Sequence, residues 1–156
     1  MRNYKIYTDG SDLKHTSHRM GVGGVLLDES GKLIDKFSEE LDHGWLQSNY
    51  GTSDCSNPTA EMIAVLVALE RWTSRFNTGD HVEINADYMG VKCWNEGEWK
   101  INKPYIRKVK EEIQDIIHDT RIQVSWSWVK GHQVGSGIYG SDKYWNDTVD
   151  KLAKGL

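Results

Sequence analysis

Four carboxylates stand where an acid can do more than carry surface charge. Asp9 ends the strand-like run 4–8, Asp87 ends the alternating run 81–86, Glu61 opens an apolar helix, and Asp150 borders the apolar face of a last helix. Each has an ordinary explanation by itself. Asp9 and Asp87 read as turn residues that hydrogen-bond their own backbone. Glu61 reads as an anion at a helix N-terminus, and Asp150 as a solvated helix charge. Taken together they differ, because no lysine or arginine adjoins Asp9, Glu61 or Asp87 in these motifs. Converging carboxylates repel one another unless a cation neutralises them. Hard oxygen ligands suit Mg²⁺, which keeps several waters and shares its shell with substrate phosphate. Two such ions about 4 Å apart activate a water and stabilise the leaving oxygen of an in-line phosphoryl displacement. The chemistry this implies is hydrolysis of a phosphodiester.

For the four to meet, the elements carrying them must stack around one sheet end. The run 4–8 reads as a strand entering the turn signal Asp9-Gly10-Ser11, and the runs 22–28 and 33–41 flank Glu29-Ser30-Gly31 as a hairpin. Asn57-Pro58 supplies an N-cap and a first-turn proline, and Val65, Leu69, Trp72 and Phe76 then recur at helical spacing. Glu61 lies close to that stripe and so points toward the sheet. The run 81–86 alternates as a fourth strand, and a short helix follows. Pro104 starts a longer helix whose Ile106, Val109, Ile113, Ile116 and Ile117 share a face. A fifth strand, 122–128, places Ile122, Val124, Trp126 and Trp128 on one side, and the helix 142–154 turns Trp145, Val149 and Leu152 inward. Three strands, then strands returning through helical crossovers, describe an α/β fold. Its five-stranded mixed sheet combines an antiparallel three-strand meander with two parallel strands, and helices cover both faces. If the fourth strand pairs in parallel with the first, Asp9 and Asp87 end side by side at the switch in sheet direction, where open α/β sheets place their sites.

A chain of 156 residues suits a single domain, 1–156, without a separate substrate-binding domain. Its 38 % hydrophobic content, with seven Trp and seven Tyr, excludes general disorder. The longest apolar run, 62–69, is far shorter than the roughly 20 residues of a membrane span. A polar N-terminus without a secretion signal, and two cysteines (Cys55, Cys93) that form neither a disulfide framework nor a Cys-x-x-Cys pair, suggest a reducing, cytoplasmic setting. The net charge of −4 argues against coating nucleic acid through bulk electrostatics. The distribution is uneven, however. The segment 92–110 carries a local charge of +4 with Trp94, Trp99 and Tyr105 interleaved, while 28–54 holds seven carboxylates against Lys32 and Lys36. The basic segment reads either as a solvated helix surface or as a nucleic-acid contact.

In order along the chain stand Tyr7-Thr8-Asp9-Gly10-Ser11, Ala60-Glu61, Asn85-Ala86-Asp87, Trp128-Val129-Lys130-Gly131-His132, and Asn146 with Asp150-Lys151-Leu152-Ala153. This series resembles ribonuclease H of type 1 over nearly the whole length. The resemblance implies a monomeric endonuclease that hydrolyses the RNA strand of RNA/DNA hybrids, largely independent of sequence, with two Mg²⁺ ions or Mn²⁺ in their place. It implies Asp9 as the bridging ligand, Glu61 and Asp87 on one ion, Asp150 on the other, and His132 as a loop histidine assisting proton transfer or product release. Gly10, Ser11, Asn57, Trp94, Trp99, Lys100 and Asn146 become candidate substrate contacts. Helix capping remains the alternative for Asn57, and core packing for the two tryptophans. Three departures stand out: 12–20 differs from the family's usual glycine loop, Pro58 replaces a polar residue, and Tyr88 follows Asp87 where Ser or Thr is usual. Two other readings share the acidic motifs: a DNA-cutting nuclease of the resolvase or integrase kind, and a non-catalytic nucleic-acid-binding domain.

Overall fold

The computed structural model describes residues 1–13, 18–130 and 137–156. Five strands, β1 (Asn3–Asp12), β2 (Arg19–Leu27), β3 (Leu33–Asp42), β4 (His81–Ala86) and β5 (Gln123–Trp128), form one sheet in the order β3-β2-β1-β4-β5. The first three strands pair antiparallel, and β4 pairs parallel with both β1 and β5. The expected mixed sheet is therefore the observed one. Among the described residues, five α-helices surround it: α1 (His43–Tyr50), α2 (Asn57–Trp72), α3 (Met89–Asn95), α4 (Pro104–Thr120) and α5 (Asp142–Ala153). Side chains alternate across β1, so Ile6 enters the larger core beneath α2 and α4, while Tyr7 enters a smaller one beneath α5 with Val25, Leu27, Trp145 and Val149.

The structure departs from the sequence reading in four places. The segment Asp9-Gly10-Ser11 is not a turn, because β1 continues to Asp12, paired with Met20 of β2. Its parallel pairing with β4 stops at Thr8↔Ala86, so residues 9–12 keep a strand neighbour on one side only. Helix α1 has no counterpart in the sequence reading. Leu46 is its one fully buried residue, so no periodic stripe announces it. The Asp42 side chain accepting from Trp45 N–H at 2.9 Å and a left-handed Gly51 (φ 68°) define its ends instead. The cap of α2 is Ser56 rather than Asn57. Finally, α2 stops at Trp72, and a single 3₁₀ turn, Thr73–Arg75, leads to an extended Phe76.

Candidate active site

Glycines set how closely the layers meet at the carboxyl end of β1. A Cβ on Gly10 would lie 2.1 Å from the backbone carbon of Ala60, so only glycine lets the first turn of α2 rest against the strand. That contact brings Glu61 into line, and its Oε1 accepts the Gly10 N–H at 2.5 Å. On the opposite face, a Cβ on Gly21 would lie 1.6 Å from the Ala153 carbonyl oxygen, and one on Gly23 would lie 2.7 Å from the Ala153 nitrogen. Helix α5 therefore lies directly on β2. Asp9 shares its strand face with Tyr7, whose hydroxyl donates to Asp142 at the start of α5.

These contacts bring together Asp9 from β1, Glu61 from α2 and Asp87 from the end of β4. One carboxylate oxygen from each lies within 4.8 Å of the other two. Asp9 is 5 % exposed and Glu61 4 %. Burial, reinforced by the Asp87 and Asp150 charges, pushes the Asp9 carboxyl up to about 7 although its hydrogen bond with Glu61 acts the other way. Burial first, then Asp9 and Asp87, raise Glu61 well above the usual carboxylate range. Glu61 Oε2 is buried without a hydrogen-bond partner among the described residues. A buried carboxylate oxygen without a donor, on a residue close to two further carboxylates, fits a hard divalent cation. Asp150 reaches Asp9 from α5 but stands outside the tight triad, half exposed and paired with Lys154 at 3.1 Å.

The four carboxylates face a cleft of about 1050 Å³, whose walls also include Gly10, Ser11, Asn57, Trp128, Lys130 and Lys154. Asn57 accepts the Asp12 N–H at 2.7 Å, so its side chain fixes the end of β1 rather than capping its own helix. Asn146 is buried in α5. Trp94 is half-buried against the larger core and touches Tyr88 and Trp99 edge-on, with ring centroids 5.6 and 6.2 Å away. Trp99 and Lys100 are exposed. An aromatic row thus runs from Tyr88, beside Asp87, toward the basic segment, where Tyr88, Trp94, Lys100 and Lys103 line a groove of about 200 Å³. The basic segment answers part of its own charge: Lys92 pairs with Glu96 and Glu98, and Lys103 pairs with Asp54. His132 lies outside the described residues. Trp128, the last residue of β5, is 42 % exposed and lines the cleft.

A family model described as RNase H matches residues 1–155. A ribonuclease H of Orientia tsutsugamushi (strain Boryong) is 30 % identical over 156 residues, covering 96 % of this chain and 79 % of that protein. One of Actinobacillus pleuropneumoniae serotype 5b (strain L20) is 27 % identical over 169 residues, covering 99 % and 90 %. Among solved structures, LC11-RNase H1, isolated from compost by a metagenomic approach, superimposes with a TM-score of 0.73 at 19 % identity, covering 99 % of this chain and 95 % of that one. The same protein in complex with RNA/DNA hybrid gives a TM-score of 0.65 at 19 % identity, covering 82 % and 86 %.

Proposed function

The chain belongs to the ribonuclease H family, and from that premise we propose that it hydrolyses the RNA strand of RNA/DNA hybrids with two divalent cations, Mg²⁺ in the first place, held by Asp9, Glu61, Asp87 and Asp150. The observation that carries this reading is the buried triad, with oxygens within 4.8 Å of one another and Glu61 Oε2 unpaired. Divalent ions bound there supply charge neutralisation, an activated water and stabilisation of the leaving oxygen.

The chain's own residues do the rest. Asp9 interacts with Glu61, Asp87 and Asp150 alike, and by the family resemblance it would be the carboxylate shared by both ions. The Gly10 N–H holds the Glu61 carboxylate in place through Oε1. The Lys154 ammonium holds Asp150 at the rim, and Asp150 would exchange that partner to help hold an ion. Gly10, Ser11 and Asn57 line the cleft where a 2′-hydroxyl, both donor and acceptor, distinguishes RNA from DNA. Trp99 and Lys100 would hold the opposite strand through phosphate and aromatic contacts, which carry little sequence information. Asn146, buried one turn before Asp150, would support the site from within α5. By its place in the Val-Lys-Gly-His motif, His132 is assigned to proton transfer or product release.

The test is cleavage of a labelled hybrid beside matched double-stranded RNA and double-stranded DNA, with Mg²⁺ or with a chelator. Metal-dependent cutting confined to the RNA of the hybrid is expected. Equal cutting of double-stranded DNA would overturn the reading.

A further inference from the structure

Trp128 is the last residue of β5, an edge strand, and its register partner is Ala86, immediately before Asp87. Val124 and Trp126, on the same face of the strand, pack against the larger core, but Trp128 lies beyond the end of that core. Its ring stays 42 % exposed and forms part of the cleft wall with Asp87, Tyr88 and Lys130. The exposed ring is nevertheless tethered, since the indole Nε1–H donates to the Asp87 carbonyl oxygen at 2.9 Å. The next residue continues the pairing, with Val129 N–H donating to the Ala86 carbonyl at 2.8 Å. Two hydrogen bonds from β5 therefore secure the backbone from which the Asp87 carboxylate emerges.

An indole with one polar handle engaged and a flat apolar face toward solvent is suited to an interface. A duplex keeps its bases stacked and paired, so the apolar surface it can offer a rim residue is the sugar face along the groove. We propose that Trp128 serves the hybrid in two separable ways. Its ring is a contact for the sugars of the strand lying in the cleft, and its N–H is a positioning group that holds the end of β4 and thereby Asp87. The inference rests on the ribonuclease H reading and adds to it a residue outside the acidic motif.

Two substitutions separate the roles. Trp128→Phe keeps an aromatic face and loses the donor; Trp128→Gln loses the aromatic face and keeps an amide donor of similar reach. For W128F, kcat should fall several-fold with KM within twofold of the parent. For W128Q, kcat should stay within twofold while KM rises about fivefold, and binding of a fluorescent hybrid, measured in a chelator without catalysis, should weaken by the same factor. A calorimetric Mg²⁺ titration adds a readout free of turnover, in which W128F but not W128Q should bind more weakly. Variants indistinguishable from a parent that cuts the hybrid would overturn this inference alone. So would a parallel loss of kcat and KM in both, the mark of a merely structural role. A parent that neither binds nor cuts the hybrid would overturn the functional reading and this inference with it.

Discussion

The acidic cleft and the basic segment 92–110 are both conspicuous in the sequence, yet their charges are handled in opposite ways. In the cleft, two of the carboxylates are almost fully buried, and the groups acting on Asp9 are further carboxylates. In the basic segment the cations are on the surface, and Lys92 and Lys103 are answered by Glu96, Glu98 and Asp54. Desolvating like charges side by side is costly, so the cleft calls for a proton or a cation to offset the repulsion. Exposed ion pairs cost and return little, so a run of lysines carries far less information about a ligand. Concentrated charge is diagnostic when it is buried and uncompensated.

The sharpest way to break this comparison is Asp9→Asn, which removes the central charge without changing size. Turnover on the hybrid should drop by at least about a thousandfold, corresponding to several kcal/mol of metal-assisted stabilisation. Hybrid binding in the absence of turnover should persist. A variant that retains parental kcat would remove Asp9 from the mechanism. Next in size is Gly10→Ala, which drives a methyl group into the α2 backbone. It should destabilise the fold by about 3 kcal/mol in urea titration, whereas Gly79→Ala, in open space but at φ 88°, should cost only the backbone strain of that turn, about 1 kcal/mol.

A third outcome concerns pH. Because the Asp9 carboxyl is raised from 3.8 to about 7 in the fold, its protonated form contributes stability that is complete below about pH 4. That contribution is lost as pH rises through about 7. Glu61 shifts in the same direction. The metal-free protein should therefore melt lower at pH 8 than at pH 5, and Mg²⁺ should restore the difference at pH 8 by occupying the site. Asp9→Asn should flatten the metal-free dependence. A Tm that rises with pH in the chelated protein would contradict the buried, uncompensated triad.

The smallest effects belong to the basic segment. Lys100→Ala should weaken hybrid binding about threefold and lower the salt slope by about one unit, as expected for one lost phosphate contact. Lys92→Ala should change either quantity much less, because Glu96 and Glu98 already engage that ammonium. Removing Lys92, Lys100 and Lys103 together should weaken binding alike on unrelated hybrid sequences, and an unchanged salt slope would make the whole segment solvated surface.

Most of the framework was legible because it is periodic. Alternation in 81–86 and 122–128 marked β4 and β5, and helical spacing marked α2, α4 and α5. Helix α1 was hidden because two caps and one buried leucine define it instead of a stripe. Alternation put Trp128 on one face with Val124 and Trp126, but it cannot say where along the strand the covering helices end, so the exposure of Trp128 at the cleft was not legible. Asn57 looked like a cap in the linear pattern, and only the approach of β1 turned its side chain to Asp12.

The sequence alone determined the residue types, their order and the faces they occupy, because strand and helix periods follow from backbone geometry. It thereby determined an acidic motif carried by two strands and two helices, although it ended the first strand at Asp9 where β1 runs on to Asp12. The tertiary structure decided what those acids do to one another. The close contacts at Gly10, Gly21 and Gly23 brought α2 and α5 onto the sheet. They buried Glu61 against Gly10 and left Asp150 at the rim with Lys154. Desolvation and the distances between carboxylates set their charge state and their capacity for metal, and both depend on how closely the layers pack.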